Sequence, residues 1–245
     1  IGNFFMRLKI HLKSDNSLFI PFNYNHIVTS MIYKKIADLE LAKDLHSSNS
    51  FKFFTFSQLN IPQRKRTKEG LISKNGVMNF QISSPNDYLI KNLVQGYLND
   101  LEVNFKGQQL FVEKVELLKT PEIKDKINVK TLSPIIARTK KEIDGKLKVW
   151  DLNPGDQLFF TNLKKNLIKK YEIFNNAEVK EDSVNISSEM SYVKRKRIAI
   201  KKGEIENYHR AFMMDLTIEG DSNILKFGYD CGIGEKNSMG FGMIK

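Results

Sequence analysis

Four glycines near the end of the chain are the first residues whose spacing suggests chemistry. They form two Gly-x-Gly pairs, Gly232 with Gly234 and Gly240 with Gly242, within the stretch CGIGEKNSMGFGMIK. A Walker phosphate loop would need a Gly-Lys-Ser/Thr ending, and a dinucleotide fingerprint would need a third glycine where Asn237 stands, followed by a helix. The spacing therefore excludes both kinds of nucleotide-cofactor site.

The residues between the two glycine pairs could contact a phosphate backbone. Glycine tolerates positive φ and allows close backbone approach, so successive amide groups can form a nest for an anion. Lys236 adds a positive charge, and Asn237 and Ser238 add hydrogen-bonding groups suited to a phosphodiester. The alternative is a tight loop in which the glycines only satisfy turn geometry, and these residues alone leave both interpretations open.

The charge of the chain favours a polyanionic partner. The 245 residues include 39 Lys and Arg against 28 Asp and Glu, a formal net charge of +11. Two clusters, QRKRTK at 63–68 and KRKR at 194–197, concentrate this charge, which favours nucleic acid over an anionic membrane surface. Besides the loop, we predict phosphate contacts from eight basic residues: Arg64, Lys65, Arg66, Lys194, Arg195, Lys196, Arg197 and Arg210.

Composition narrows the class of protein further. Hydrophobic residues make up 41% and charged residues 27%, which fits a packed core rather than disorder. No apolar run approaches the ~18 residues of a membrane span and no signal-peptide pattern is found, so we expect a cytoplasmic protein whose natural chain starts at Met6. The single cysteine, Cys231, excludes internal disulfides and cysteine-rich metal sites, and we expect neither a metal nor a cofactor.

Helices and strands of the first half must position the candidate residues. A helix is predicted over 23–45, where Val28, Ile32 or Met31, Ile36 and Leu39 recur at helical spacing. A second helix is predicted over 84–98, with Ser84 as its N-cap. Alternation and aromatic content predict four strands, over 5–13, 52–59, 76–83 and 110–119.

The second half repeats the order strand, helix, strand, strand, helix, strand. Its elements are predicted over 128–139, 156–174, 191–200, 207–220, 222–232 and 241–245, with a hairpin turn around Gly203. Two such units predict an α+β fold of tandem ferredoxin-like βαββαβ domains, similar to RNA-recognition modules, with a C-terminal glycine-rich loop. We place the domains at 1–122 and 123–245, because the connecting segment 119–127 is polar and contains Pro121.

The C-terminal motif resembles the signature of a known family. The pattern Gly, hydrophobic, Gly, five residues, Gly, hydrophobic, Gly is similar to the glycine-rich loop of the RAMP superfamily of CRISPR-associated proteins. Within it, the chain resembles the endoribonucleases that cut CRISPR precursor RNA within its repeats. The similarity also runs through PFNYNHIVTSMIY, LHSSNSFKFFTFS and TLSPI, so it covers both halves in the expected order.

The resemblance implies three catalytic residues in the first half. The family has a tyrosine in the first helix, a histidine just beyond it and a lysine at the start of the next strand, which match Tyr33, His46 and Lys52. Tyr33 lies about 140° around the predicted helix from Val28, off its apolar stripe. A short loop can bring His46 and Lys52 back toward it.

RNA cleavage by its own 2′-hydroxyl requires such a trio. One group removes the 2′-hydroxyl proton, another protonates or stabilises the leaving 5′-oxygen, and a cation stabilises the phosphorane. With its ordinary pKa of about 6.5, His46 would act as general base or acid. Lys52 would be the electrostatic stabiliser and Tyr33 a positioning or proton-donating group. The products would carry a 5′-hydroxyl and a 2′,3′-cyclic phosphate, and the family's chemistry needs no metal.

Structural interpretations compete with these roles. Tyr33 could instead pack on the sheet, Lys52 could be an ordinary edge lysine, and a loop histidine such as His46 is usually just solvated. We interpret the remaining histidines, His11, His26 and His209, as structural.

Three functions follow from these observations. The first is a metal-independent endoribonuclease that matures CRISPR RNA, and the second is a RAMP-type subunit that binds guide RNA without cutting it. A general RNA-binding module is the third, although no strand matches the signature of RNA-recognition sheets. Tyr33, His46 and Lys52 together favour the enzyme. Its expected partner is CRISPR repeat RNA, single-stranded or a stem-loop, with an effector complex as a further candidate. We expect a monomer or homodimer.

Overall fold

The computed structural model describes residues 6–47, 51–202 and 205–245. The first half contains five strands of one antiparallel sheet: β1 (Arg7–Lys13), β3 (Thr55–Phe56), β6 (Val77–Ser83), β7 (Glu102–Phe105) and β8 (Gln108–Leu118). Their spatial order is β3-β6-β1-β8-β7. Without the edge strand β7, this is the split βαβ order of the ferredoxin-like fold, so the predicted fold class is confirmed here.

Three helices pack on this sheet and close the first core. They are α1 (Asn25–Lys34), α2 (Leu39–Ser47) and α3 (Asp87–Asn99). Alternation along β1 buries Leu8, Ile10 and Leu12, which join the buried faces of α1 and α3 in one cluster. The core of the first half therefore forms where the helix and strand periodicities of the sequence meet.

The single helix predicted over 23–45 is wrong, because the helix ends at Lys34. Lys35 turns inward and is buried, and its Nζ donates to the Asp100 carbonyl oxygen at 2.6 Å and to the Glu102 carbonyl oxygen at 2.7 Å. Gly96 of α3 contacts the Lys35 backbone so closely that a Cβ would overlap it. The break is thus fixed by residues about 60 positions away in sequence. After the break, Leu39, predicted on the apolar stripe, is 80% exposed.

The predicted N-cap of α3 is also wrong by two residues. Asn86 caps the helix, its side chain accepting from the amides of Tyr88 and Leu89. Ser84 instead donates from its hydroxyl to the Phe53 carbonyl oxygen at 2.7 Å. That bond fixes the segment leading into β3.

A small sheet that the sequence did not predict projects from the first half. It contains β2 (Leu18–Pro21), β4 (Arg64–Arg66) and β5 (Gly70–Ser73), in the order β2-β5-β4. The centre of the first basic cluster, Arg64–Arg66, therefore lies on an exposed edge strand.

The second half repeats the ferredoxin-like order. Its main elements are β9 (Lys126–Lys130), α4 (Leu158–Asn175), β12 (Val184–Ser187), β14 (Ile205–Gly220) and α5 (Ser222–Cys231). The strands lie in the order β12-β14-β9, and the chain end lies beside β9, with reciprocal backbone hydrogen bonds between Lys130 and Lys245. The predicted last strand is present only as this short bridge.

Two hairpins extend the second half. β13 (Val193–Lys202) pairs with the first part of β14, which confirms the predicted hairpin, although its turn residues 203 and 204 lie outside the described residues. β10 (Arg138–Ile143) and β11 (Lys146–Asp151) form a separate two-stranded ribbon that was not predicted. Among the described helices, none is both long and apolar enough to span a bilayer.

Candidate functional site

The glycine loop, residues 232–242, is packed between the two halves. All four glycines of the motif are buried and have positive φ. Thr55 of β3 donates to the Phe241 carbonyl oxygen at 2.8 Å, and Asn25 of α1 donates to the Met239 carbonyl oxygen at 2.7 Å. The loop therefore joins the halves through its own backbone.

Close packing explains why this loop needs glycine. A Cβ on Gly240 would overlap the Phe56 ring, and a Cβ on Gly242 would overlap the Ile233 carbonyl oxygen. Both positions also have φ near +80°, where a side chain is strained. Both the turn geometry and the close approach of neighbouring atoms thus require glycine at these two positions.

A buried lysine of α4 holds the loop by hydrogen bonds. Lys170 of α4 is 1% exposed, and its Nζ donates to the carbonyl oxygens of Gly232 at 2.7 Å and Gly234 at 3.1 Å and to Asn237 Oδ1 at 2.8 Å. Burial lowers the pKa of Lys170. Asn237 in turn donates to the Phe241 carbonyl oxygen at 3.0 Å. Its side chain, predicted to contact RNA, is thus engaged within the loop.

The exposed edge of the loop opens onto a cleft that also contains Lys52. We call it the Lys52 cleft; its volume is about 550 Å³. Lys236 and Ser238, both partly exposed, contribute to its wall, as does Lys169 of α4. Burial lowers the pKa of Lys52 from its ordinary value. The candidate catalytic lysine and the glycine loop, about 180 residues apart in sequence, therefore line one cationic cleft.

Tyr33 lies near the same part of the molecule. Its ring is half-buried and meets Phe54 edge-on, with ring centroids 5.9 Å apart, and Phe54 is two residues after Lys52. Tyr33 also lies one helical turn beyond Thr29, whose hydroxyl donates to the Ser238 carbonyl oxygen at 3.2 Å. Burial raises the pKa of Tyr33, so its phenol stays protonated at neutral pH. The ring packs on the core, as one interpretation expected, and remains partly accessible.

His46 lies in the last turn of α2 rather than after a helix end as predicted. A separate helix, α2, begins at Leu39 after the break that the sequence did not predict, and it extends to Ser47. The side chain of His46 lies outside the described residues. The catalytic set predicted from the family is therefore described in side-chain detail only for Tyr33 and Lys52.

Two of the remaining histidines have acidic neighbours and do not line the Lys52 cleft. His11 Nε2 lies 3.1 Å from Glu116 Oε2 on the open face of the first sheet. His209 Nδ1 lies 3.5 Å from Asp151 Oδ1. These contacts support the structural interpretation of both.

The two predicted basic clusters meet in a second cleft, between the halves. We call it the basic cleft; it has a volume of about 740 Å³. Arg64 and Arg66 of β4 approach it from the first half, and Lys196 and Arg197 of β13 from the second. Burial lowers the pKa of Lys196, and so do the neighbouring positive charges of Lys194, Arg66 and Arg64. Such mutual repulsion is relieved by a polyanion.

The remaining predicted basic residues lie outside both clefts. Lys194 is exposed beside Lys196, and Arg195 is exposed on the next residue of β13. Arg210 of β14 pairs in register with Arg197, and its Nη1 donates to Asn153 Oδ1 at 3.2 Å. The structure thus brings together four of the eight predicted phosphate-binding residues and leaves the other four on neighbouring surfaces: Lys65, which is exposed on β4, Lys194, Arg195 and Arg210.

The glycine loop connects the two clefts. Asn25 lines the basic cleft and Met239 lines the Lys52 cleft, and the hydrogen bond between them spans the boundary. The two clefts are therefore neighbours across the glycine loop.

Sequence reasoning missed three basic residues of the Lys52 cleft: Lys169, the buried Lys170 and Arg138. In the sequence, Lys169 is marked only as a lysine off the apolar face of α4. No sequence pattern marks Arg138, which pairs with Glu235. In the part of the chain that the structure describes, no three His, Cys, Asp or Glu side chains are grouped to hold a metal ion.

Both halves of the chain match one protein family. Residues 19–116 match the family model "CRISPR-associated protein Cas6, N-terminal" and residues 118–245 match "CRISPR associated protein Cas6, C-terminal". The chain is 42% identical to CRISPR-associated endoribonuclease Cas6 1 of Methanocaldococcus jannaschii, over 98% of this chain and 92% of that protein. It is 35% identical to an endoribonuclease-like Cas6 protein of Pyrococcus furiosus over 98% of both. A solved structure described as "An RAMP protein binding different RNA substrates" is similar with a TM-score of 0.83, 31% identity and 98% coverage of both chains.

Proposed function

The chain belongs to the Cas6 family of CRISPR-associated proteins, and we propose that it cuts CRISPR precursor RNA within its repeats by a metal-independent attack of the RNA's own 2′-hydroxyl. The observation that carries the endoribonuclease assignment is the 42% identity with a Cas6 endoribonuclease over nearly the whole chain. The cleavage would leave a 5′-hydroxyl and a 2′,3′-cyclic phosphate and would release mature guide RNA.

Substrate binding in this proposal uses both clefts. The cations of the basic cleft would hold the phosphate backbone, and the exposed edge of the glycine loop would guide the strand to the Lys52 cleft. The loop's glycines would contribute backbone amides rather than side chains. Electrostatic attraction of this kind is independent of sequence, so recognition of the repeat would need further contacts to bases.

Three residues would carry the chemistry. Lys52, a cation in a partly desolvated cleft, would stabilise the charge that develops on the phosphorane. Tyr33 keeps its proton at neutral pH and could orient the phosphate or donate to it. His46 would transfer the proton, as general base or general acid.

The decisive assay separates cutting from binding. Labelled repeat RNA is incubated with the protein in EDTA, and the ends of the products are identified. Cleavage with 5′-hydroxyl and 2′,3′-cyclic phosphate ends supports the proposal. Tight binding without cleavage, with or without added divalent cations, would instead favour a non-catalytic guide-RNA-binding subunit, which the names of the endoribonuclease-like and RNA-binding relatives make the runner-up.

His46→Ala should slow cleavage by roughly 10²-fold or more while leaving RNA affinity nearly unchanged, because general acid-base catalysis contributes about that much. Single-turnover rates and filter binding measure the two quantities separately. His11→Ala is the matched control, since His11 lies on the sheet beside Glu116. An unchanged rate in His46→Ala would remove His46 from the site.

The remaining expectations are part of the same proposal. The domain division after residue 122 is supported by a change of sheet: β8 ends at Leu118 and β9 begins at Lys126. The protein would act as a monomer or homodimer in the cytoplasm, where its RNA substrate would be made, and could pass its product to an effector complex.

A further inference from the structure

Three cations and two aromatic rings lie along a path that leaves the basic cleft. The Arg197 guanidinium lies 4.0 Å from the Tyr208 ring centroid, and both residues line the cleft. Arg197 pairs in register with Arg210 on β14. The Arg210 guanidinium lies 5.5 Å from the Trp150 ring, and Lys141 Nζ lies 5.2 Å from the same ring. We call these five residues the ladder.

The ladder ends on the two-stranded ribbon of β10 and β11. Lys141 and Lys148 are directly opposite each other in the register, and Lys146 is two residues from Lys148. Strand alternation places all three on the same face as Trp150. One acidic side chain, Asp144 at the ribbon's turn, lies near this face, 3.8 Å from Lys148 Nζ.

The facing lysines repel each other, and an anion bound between them would relieve this repulsion. Like charges directly opposite on antiparallel strands are destabilising, and Lys141 and Lys148 are both exposed. Proteins that bind single-stranded nucleic acid combine a cationic track for the backbone with rings on which bases stack. The half-buried Trp150, whose ring has Arg210 and Lys141 nearby, has the surroundings of such a ring.

We propose that the ladder is a second RNA-binding track, which carries single-stranded RNA from the basic cleft onto the β10–β11 ribbon, where a base stacks on Trp150. This inference rests on the proposed function for the presence of RNA in the basic cleft. Lys141 and Lys148 contact phosphates on either side of the stacked nucleotide. The track extends the bound length of RNA beyond the two clefts, since neither Trp150 nor these lysines line them.

Trp150 is the only tryptophan in the chain, so its fluorescence reports on this position alone. The probe is repeat RNA with a single 2′-deoxy nucleotide at the mapped cut, which binds without reacting. Binding is followed independently by the anisotropy of the 5′-labelled RNA. The emission of Trp150 should fall as RNA is added, with the same midpoint as the anisotropy change.

Variants separate stacking from charge. Trp150→Ala should weaken binding by about tenfold and Trp150→Phe by less than about threefold, because phenylalanine keeps a stacking face. The double variant Lys141→Gln, Lys148→Gln should reduce the slope of log affinity against log salt by about 1.4, or ~0.7 for each phosphate contact. Lys91→Gln with Lys114→Gln removes two exposed charges elsewhere and should leave the slope unchanged.

The outcomes distinguish failure of the proposed RNA track from failure of the proposed endoribonuclease function. If wild-type protein binds and cuts repeat RNA but its emission is unchanged at saturation, the track is overturned and the proposed function stands. Wild-type affinity in Trp150→Ala also overturns the track, and would leave the ribbon as a surface for another partner, such as a protein. If wild-type protein neither binds nor cuts the RNA, both proposals fail.

Discussion

The glycine loop and the two basic clusters gave the same sequence prediction, RNA contact, but they occupy opposite kinds of environment. The four glycines of the loop are buried, and the loop's backbone carbonyls accept hydrogen bonds from both halves of the chain. Arg64, Arg66 and Arg197 are exposed and project into a cleft between the halves. One region is a packed joint, and the other is a charged surface.

The difference indicates two separate roles toward one RNA substrate, positioning and electrostatic attraction. The loop has the positioning role. Lys170, Asn25 and Thr55 hold it by hydrogen bonds, and its edge lies beside Lys52. The clusters supply attraction, and their geometry matters less because electrostatic binding falls off gradually with distance. Substitutions in the loop should therefore change folding and catalysis together, whereas substitutions in the clusters should change only affinity.

The largest effect is expected at Gly242. Replacing it with Ala should lower the free energy of unfolding by about 3 kcal/mol or more, because the new Cβ overlaps the Ile233 carbonyl oxygen and the φ of +76° is strained. Urea unfolding measures the change.

Gly107 offers a matched control for this substitution. It has a similar φ of +83°, and nothing lies within 4 Å of where its Cβ would be. Gly107→Ala should thus cost only the backbone strain, about 1 kcal/mol. Equal losses at the two positions would show that close packing of the loop contributes nothing.

Lys52→Ala should lower the cleavage rate by about 10²-fold without changing the free energy of unfolding, since the proposed mechanism uses the Lys52 cation to stabilise charge on the reacting phosphate. Burial lowers the pKa of Lys52, so Lys52 loses its charge at a lower pH than an exposed lysine does. The wild-type rate should therefore fall at alkaline pH, and Lys52→Arg should shift that fall upward, because arginine stays charged. An identical alkaline profile in Lys52→Arg would contradict the assignment.

The smallest effects are expected in the basic clusters. The pairs Arg64→Gln with Arg66→Gln, and Lys196→Gln with Arg197→Gln, should each reduce the salt slope of RNA binding by about 1.4, with unfolding free energies unchanged within about 0.5 kcal/mol. If the pairs share one cleft, the quadruple variant should lose about twice as much slope as either. A loss confined to one pair would show that the clusters do not act on the same RNA.

The sequence predicted the elements better than their ends. Strands β1 and β6 and helices α4 and α5 lie close to their predicted positions, because alternation and helical spacing mark a buried face. The end of α1 could not be predicted, since it depends on Lys35 reaching Asp100 in another element.

The two clefts could not be predicted from the sequence for a related reason. Each basic cluster is visible in the local sequence, but their meeting depends on how the two halves of the chain pack, and the burial of Lys170 depends on the loop folding over it. The identities of Tyr33, His46 and Lys52 came from family resemblance, and local patterns supported only Tyr33, as a residue off the apolar stripe. Their roles remain predictions.

The central claim is tested most directly by changing one atom of the substrate. Repeat RNA with a 2′-deoxy nucleotide at the cut position is compared with unmodified repeat RNA in EDTA, with affinity measured for both. The 2′-hydroxyl mechanism predicts equal binding and no cleavage of the deoxy substrate. Cleavage of the deoxy substrate at the same position would contradict it.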